Sequence, residues 1–435
     1  MIRYRVSLTS PQSQRGAVMV LIIAALAALL LMAGLALDVG HATLNKSRLQ
    51  NATDAAALSA AKALDQTGST QTATTVAIQA FKNNANASGN QELATAYANG
   101  SGQIIITVQY SATLPPFTAG SAVGPYVRVI ATGFNWPSWL VQIAGTSRMA
   151  VTASAVAGPS PTINSACNIA PMMVCGDPAA GAANLWGYTV NAPTVLKSAA
   201  PGSAVGPGNF QLVQLGSQPG ADAVRQNLAG GYAGCATNGD FITTQTGNET
   251  GPVADGLNTR FNEYKGSMGG SQSQYPPDVI DKPAPSTPIS LDGSGNIVVT
   301  TQGSGKKSGG TTTIVTASNI DSAAYSYNDY NADVAAGNYD VQPIQNGGIA
   351  AFQRRILTVP VADCSGTNNG KSSIPVLGFA CYFLLQPVDG TGNADQVFGQ
   401  FIGKCDVNGT PGPAPASGPS PYIIQLYHDP SSGDS

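Results

Sequence analysis

Charge is scarce in this sequence. Lys, Arg, Asp and Glu make up 10% of the 435 residues, against roughly 25% in an ordinary soluble domain. With 20 Lys and Arg in all and a net charge of -3, the chain lacks the electrostatic footprint that binding nucleic acid requires, and that partner is excluded. Histidine is scarcer still: His41 and His428 are the only two, which excludes Ser-His-Asp and Cys-His catalysis and multi-histidine zinc sites. The six cysteines form no C-x-x-C pair and their spacings match no zinc module. No repeat of fixed period occurs. A phosphate-binding loop is also missing. In Thr301–Gly310 (TQGSGKKSGG), Thr300 stands where the first Gly is needed and Lys307 where Ser or Thr must follow the Lys, so the stretch reads as a solvated hairpin loop.

From Ala17 to Leu37 (AVMVLIIAALAALLLMAGLAL) charge is absent altogether. At about 1.5 Å per residue this run covers a hydrocarbon core of roughly 30 Å, so it is predicted to span a membrane. It is too long for the h-region of a cleaved secretory signal, which runs to roughly 15 residues, and a retained anchor is expected. Asp38 is costly in lipid and sets the outer membrane boundary; Arg15 and Gly16 set the inner one. Beyond Asp38 the chain continues through residue 64 with no Pro and only Gly40, rich in Ala, Leu, Lys, Arg and Gln, so the helix is expected to continue out of the bilayer. Arg3, Arg5 and Arg15 before the run outnumber Lys46 and Arg48 after it. The positive-inside rule then puts the N-terminus in the cytoplasm. All six cysteines, Cys167, Cys175, Cys235, Cys364, Cys381 and Cys405, fall on the far side. An even set there implies structural disulfides in an oxidising compartment, with Cys167 and Cys175 placed to close a short loop and the full pairing open.

Next come a helix over residues 70–87, strands over 103–110 and 125–131, a short amphipathic helix over 136–143 and a strand over 148–157. Gly158-Pro159-Ser160-Pro161 reads as a linker. From there Gly (50 in the chain) and Pro (29) punctuate short apolar runs at 187–196, 209–215, 296–301, 311–315, 355–361, 374–386, 397–403 and 422–427. Repeated short strands with turn signals predict a β sandwich or irregular barrel. Asp292-Gly293-Ser294-Gly295-Asn296 lies between two of these runs and reads as a hairpin turn.

The stretch RGAVMVLIIAALAALLLMAGLALDVGHATLNKSRLQNATDAAALSAAKAL resembles the N-terminal segment of the TadE/TadG-like proteins of the Tad (tight adherence, Flp pilus) system. The shared features are Arg15-Gly16 before the span, Asp38-Val39-Gly40 at its exit and the helix from Arg48 to Leu58. The closing stretch SWLVQIAGTSRMAVTASAVAG is similar to the end of that family's first module, so the resemblance runs to about residue 158. A processed pilin-like member would carry a Glu soon after its cleavage glycine. Here Ala, Val, Met and Leu follow Gly16, which makes the chain most like TadG, a membrane component whose anchor is retained.

The expected architecture is therefore a cytoplasmic segment (1–16), a single transmembrane helix (17–37), a long-helix and α+β module (38–158), and a β-rich, mainly antiparallel, disulfide-bonded extracytoplasmic domain (159–435). The resemblance implies a non-enzymatic inner-membrane component of pilus assembly and adherence. Its partners would be the membrane and pilus assembly or pilin-like proteins, with no cofactor. The alternative is a membrane-anchored surface adhesin or carbohydrate-binding β domain. A carboxylate-dependent hydrolase built on Asp363 or Asp278 with Glu263 has no motif behind it. Asp329, Asn331, Asp333 and Asp340 occupy positions 1, 3, 5 and 12 of an EF-hand count and form a calcium candidate, although Val334 stands where that loop needs Gly.

Overall fold

In a computed structural model the apolar run and the alanine-rich segment are one uninterrupted helix, α1 (Arg15–Thr67). The structure describes residues 15–98, 103–120, 124–161, 163–198, 209–216, 220–230, 232–281, 288–301, 311–366, 370–390, 396–403, 405–411 and 421–429. The segment before Arg15 and the Lys306-Lys307 loop lie outside that set. Gly68 ends α1 because its positive φ of 63° is open to glycine at no steric cost. Ser69 then caps α2 (Thr70–Ala85) by accepting the Thr72 N–H at 3.2 Å. α3 (Gln91–Ala98) follows.

Small residues at helical spacing let these helices approach closely. Leu49, Ala52, Ala56, Ala60 and Leu64 of α1 meet Ala73, Ala77, Phe81 and Ala85 of α2, all buried. Behind them stand β1 (Ile105–Ser111), β2 (Tyr126–Pro137) and β3 (Arg148–Pro159). β2 does not stop near residue 131. A bulge between Ala131 and Phe134 carries it on, and Gly133 (φ 84°) is needed there, since a Cβ would fall 1.7 Å from the Gln103 carbonyl oxygen. Past the bulge Phe134 and Trp136 alternate inward against α1, so the helix expected over 136–143 is corrected: Trp136 is in a strand and only Val141–Ala144 turn, as a short 3-10 helix. The aromatic pair gains more by joining the core than a local helix could supply.

The remainder is a larger β-rich domain, the outer domain in the sense that it lies beyond the apolar run along the chain. Its strands begin with β4 (Ile163–Ile169), β5 (Val174–Gly176), β6 (Pro193–Lys197) and β7 (Asn209–Gln214). After α4 (Ala221–Gly230) come β8 (Tyr232–Thr237), β9 (Phe241–Thr246) and α5 (Thr250–Asn258). A small sheet, β10 (Ile289–Leu291), β11 (Ile297–Thr301) and β12 (Thr311–Ile314), precedes α6 (Ile320–Ala323) and α7 (Tyr327–Ala336). Last are β13 (Ile356–Asp363), β14 (Ser373–Leu384), β15 (Val397–Phe401), β16 (Asn408–Pro411) and β17 (Ile424–Tyr427). Residues 187–196 are mostly not strand: a 3-10 turn ends at Gly187 and β6 begins only at Pro193.

The main sheet runs β5-β13-β14-β15-β6, antiparallel except for β5 on β13, with β9 and β7 continuing from the start of β14. Phe379, Cys381 and Phe383 of β14 face one apolar cluster, while Ala380, Tyr382 and Leu384 face another. Burial on both faces is why these strands read as continuous apolar runs. One cluster is covered by α4 and α5 through Val224, Leu228, Val253 and Leu257, and the other takes in Ile320 of α6 and Tyr330 and Val334 of α7, so a pure β sandwich gives way to a sheet with helices against both faces. Asp292 makes the expected turn between β10 and β11, accepting the Ser294 and Asn296 N–H groups at 2.8 Å each.

The chain closes on itself. β17 leaves the outer domain to pair with β3, giving the first sheet the order β1-β2-β3-β17. Asp429 just beyond it is buried against Arg128 (2.7 Å) and Ser154 (2.7 Å) of that sheet.

Candidate functional site

Between Val18 and Gly40 every residue of α1 is exposed except Gly34 and Asp38. Both are covered by the tip of the β2–β3 hairpin, residues 138–147. The Leu140 side chain lies against the bare Gly34 backbone so closely that a Cβ on Gly34 would come within 2.7 Å of it. One turn on, the Asp38 carboxylate accepts three successive backbone N–H groups, from Trp139 (2.9 Å), Leu140 (2.8 Å) and Val141 (2.7 Å). Charge-assisted bonds of this kind are the strong ones. The next residue on the same face, His41, stacks its ring on Trp139, with centroids 4.5 Å apart and planes 20° from parallel.

α3 completes the collar. Glu92 bonds His41 Nε2 at 2.6 Å and accepts the Asn45 side-chain amide at 2.7 Å. Burial pushes the Glu92 carboxyl up, but the bonds from Asn45 and His41 outweigh it and leave the carboxyl below its ordinary value. Gly34, Asp38, His41 and Asn45 share one helix face by their spacing of three and four residues. That face runs straight into the buried Leu49–Ala52–Ala56 stripe, so the contact at the end of the apolar run and the module's core are one seam.

The far end of α1 is held by the outer domain. Lys62 pairs with Asp406, and Asp65 accepts the Tyr422 hydroxyl together with the Gln353 amide, the latter at 3.2 Å. Asp406 also accepts the Ile424 N–H at 3.1 Å. A polar cavity of about 290 Å³, lined among others by Lys62, Arg260, Gln353, Arg354 and Asp406, opens beside this junction. From Gly34 to Asp65 the helix is roughly 45 Å long. It is a strut with one end at the apolar run and the other in the outer domain.

Burial raises the Asp65 carboxyl above its ordinary value, and the bonds from Tyr422 and Gln353 offset this only in part. The folded state therefore keeps this proton to higher pH than the unfolded chain. The stability the group contributes is full below the unfolded pKa, about 4, and is lost as pH rises through the folded value. Asp65→Asn removes that loss. The variant's denaturant midpoint, measured against the parent's, should move in the variant's favour between pH 4 and pH 8; parallel pH curves for the two proteins would refute the assignment.

The structure places the other singled-out residues as follows. Arg15 and Gly16 open α1. The cysteines pair as Cys167–Cys235, Cys175–Cys364 and Cys381–Cys405. The short loop between Cys167 and Cys175 is thus corrected, because each reaches a neighbouring strand: Cys167 lies opposite Cys235 in the β4–β8 register, and Cys175 lies beside the end of β13. The calcium candidate is not an EF-hand loop. Asp329, Asn331 and Asp333 are on α7, where Asp329 forms a capping box with Ser326 and Asp333 accepts the Tyr325 hydroxyl at 2.9 Å. Asp340 instead pairs its backbone with Ile280. Among the described residues no group of three or more His, Cys, Asp or Glu side chains is placed to hold a metal ion. Asp278, Glu263 and Asp363 are in separate surroundings: Asp278 is buried against the Arg355 backbone, Glu263 pairs with Lys265 at 3.1 Å, and Asp363 accepts the Ser365 N–H at 2.9 Å.

Sequence reasoning missed Gly34, His41, Glu92, Trp139 and Leu140 as a unit. The available signals were the three- and four-residue spacing from Gly34 to Asn45 and the absence of charge in SWLVQIAGTS.

α1 is the one helix among the described residues long and apolar enough to cross a membrane. Residues 16–63 match the family model Tad, described as putative Flp pilus-assembly TadE/G-like. The matched segment contains Gly34, Asp38, His41 and Asn45, and it ends within α1. Searches of the curated proteins and of the solved structures return no match.

Proposed function

We propose, from the premise of a TadE/G-like segment at residues 16–63, that this protein is a non-enzymatic, single-pass inner-membrane component of a Tad/Flp pilus assembly system. Its N-terminus is cytoplasmic and its outer domain periplasmic. The match on α1 carries the reading. It is supported by the charge-free run from Ala17 to Leu37, by the greater number of arginines before that run, and by six cysteines beyond it that all pair. The role is mechanical: α1 holds the α+β module at the membrane exit and carries the outer domain roughly 45 Å further, where it meets pilus assembly or pilin-like proteins.

Deleting the encoding gene and scoring pilus display and surface adherence tests the reading. Loss of both, restored by the full-length chain, is expected, and normal pili in the deletant would end it. Membrane fractionation separates the proposal from a surface adhesin. Intact protein in the inner membrane is expected, whereas exposure on the outer surface would favour the adhesin.

A further inference from the structure

The hairpin tip that clasps α1 has a composition the module's fold does not require. Residues 138–147 (SWLVQIAGTS) carry no charge. Trp139 and Leu140 at its end are 52% and 41% exposed although both pack on α1. Their height along the helix is fixed, because Leu140 touches Gly34 and Asp38 holds the Trp139, Leu140 and Val141 amides. Gly34 lies three residues inside the apolar run, so Leu140 reaches roughly 5 Å below the level of Leu37. Charge returns only at Arg148 on the hairpin's shoulder, which is exposed and bonds Asn135.

We infer that the tip of the β2–β3 hairpin is a second membrane-seated element, with Trp139 and Leu140 in the lipid interface beside α1. The occupant of this apolar surface is lipid. The surface is continuous with the exposed apolar flank of α1 between Val18 and Leu37, and a tip clasped inside the end of a spanning segment cannot stay in water. Trp belongs at the interface, where its ring is among apolar chains and its N–H remains wet, and Arg148 stands where phosphate headgroups begin. The carboxylate that would be costly in lipid is covered by three N–H groups of the same tip, so the hairpin also shields Asp38 where the helix leaves the bilayer. A chain held by one helix can swivel about it. Attachment at two points fixes the tilt and rotation of the α+β module, and hence the direction in which α1 presents the outer domain.

The inference rests on the reading that α1 spans the bilayer, and the test keeps the two apart. The full-length protein is reconstituted in vesicles of phosphatidylcholine and phosphatidylglycerol whose acyl chains are brominated, in separate preparations, near the headgroup, at the depth of Trp139, and near the chain end, at the depth of Leu26. Three proteins are compared: the parent, Trp139→Phe, and Trp139→Phe carrying Leu26→Trp. Bromine near the headgroup is expected to quench part of the parent's tryptophan emission, and that part is expected to disappear in Trp139→Phe; bromine near the chain end is expected to quench the protein carrying Leu26→Trp. Aqueous iodide should spare Trp139. If the Leu26→Trp protein is quenched while the parent and Trp139→Phe are indistinguishable, the span stands and the inference is overturned. Shielding of Trp139 from iodide without bromine quenching overturns it equally, since a protein partner or second copy then covers the tip. If the Leu26→Trp protein is also unquenched, the spanning helix fails and the inference with it. Circular dichroism of each variant confirms that it is folded.

Discussion

Reduction of the three disulfides is expected to unfold the outer domain while α1–α3 and the first sheet's core remain folded. The cross-links close segments of 24, 68 and 189 residues. On the chain-entropy view each contributes roughly 3–5 kcal/mol, the longest loop the most, and overlapping loops make the sum smaller than the parts. Even so, the loss rivals the whole stability of an ordinary domain, about 5–15 kcal/mol. The domain has few alternatives, because its strands are joined by long Gly-rich connections. Cys175–Cys364 ties the three-residue β5 to the edge of the main sheet, and Cys167–Cys235 joins the paired β4 and β8. The core between α1, α2 and the first sheet contains no cysteine, which predicts selective loss. Denaturant unfolding with and without reductant, followed by limited proteolysis, checks it. An unchanged midpoint after complete reduction would refute it, and a protease-resistant fragment beginning before Gly34 is the expected product. The prediction bears on function, since a chain confined to a reducing compartment should lack a folded outer domain.

The parts legible in the sequence were those set by local composition. α1 could be read because an uncharged run passes into strong helix formers with no Pro, and β13–β15 because β-branched and aromatic residues cluster between Gly and Pro. What escaped was non-local. Trp136 has a helical-looking neighbourhood, yet its burial beside Phe134 under α1 extends the strand instead. The spacing of Asp329, Asn331 and Asp333 resembles a calcium loop only until Ser326 starts a helix there. β17 looks like any other C-terminal strand, and only the tertiary structure reveals that it completes the N-terminal sheet. Asp38 was legible as a boundary, but its partners lie about a hundred positions away in the chain. A carboxylate's neighbours cannot be read from its own surroundings when a hairpin tip brings them.

The second large effect is expected from Arg355→Ala, which should destabilise the outer domain by about 3–5 kcal/mol. Arg355 is fully buried. Its Nε and Nη2 donate to the Leu384 carbonyl at 3.2 and 2.8 Å, and its guanidinium lies 4.4 Å from the centre of the Phe383 ring and 4.7 Å from that of Phe261. Burial pulls its pKa down to about 10, with Asp278 the largest opposing influence. Asp278 accepts the Arg355 N–H at 3.0 Å and the Ile280 N–H at 3.1 Å; burial raises its carboxyl above the ordinary value, and the Arg355 charge offsets this only in part. Removing the guanidinium therefore acts twice. It opens a cavity among aromatic rings, and it takes away the positive charge that favours ionised Asp278, so that group must take up a proton or remain a buried anion with less compensation. Asp278→Asn relieves only the second effect. In a double-mutant cycle, Asp278→Asn should cost clearly less in the Arg355→Ala background than in the parent, because the interaction it disturbs is already gone. Strictly additive losses in denaturant unfolding would mean that the two charges do not support each other and that Arg355 acts through packing alone. The coupled result would identify the pair as the element that keeps α7, β13 and β14 in one arrangement, since Tyr330 of α7 is electrostatically coupled to Asp278 and accepts the Gln353 N–H at 3.0 Å. Gln353 is also the residue that reaches Asp65, so loosening this core would reach the distal anchorage of the strut through two hydrogen bonds.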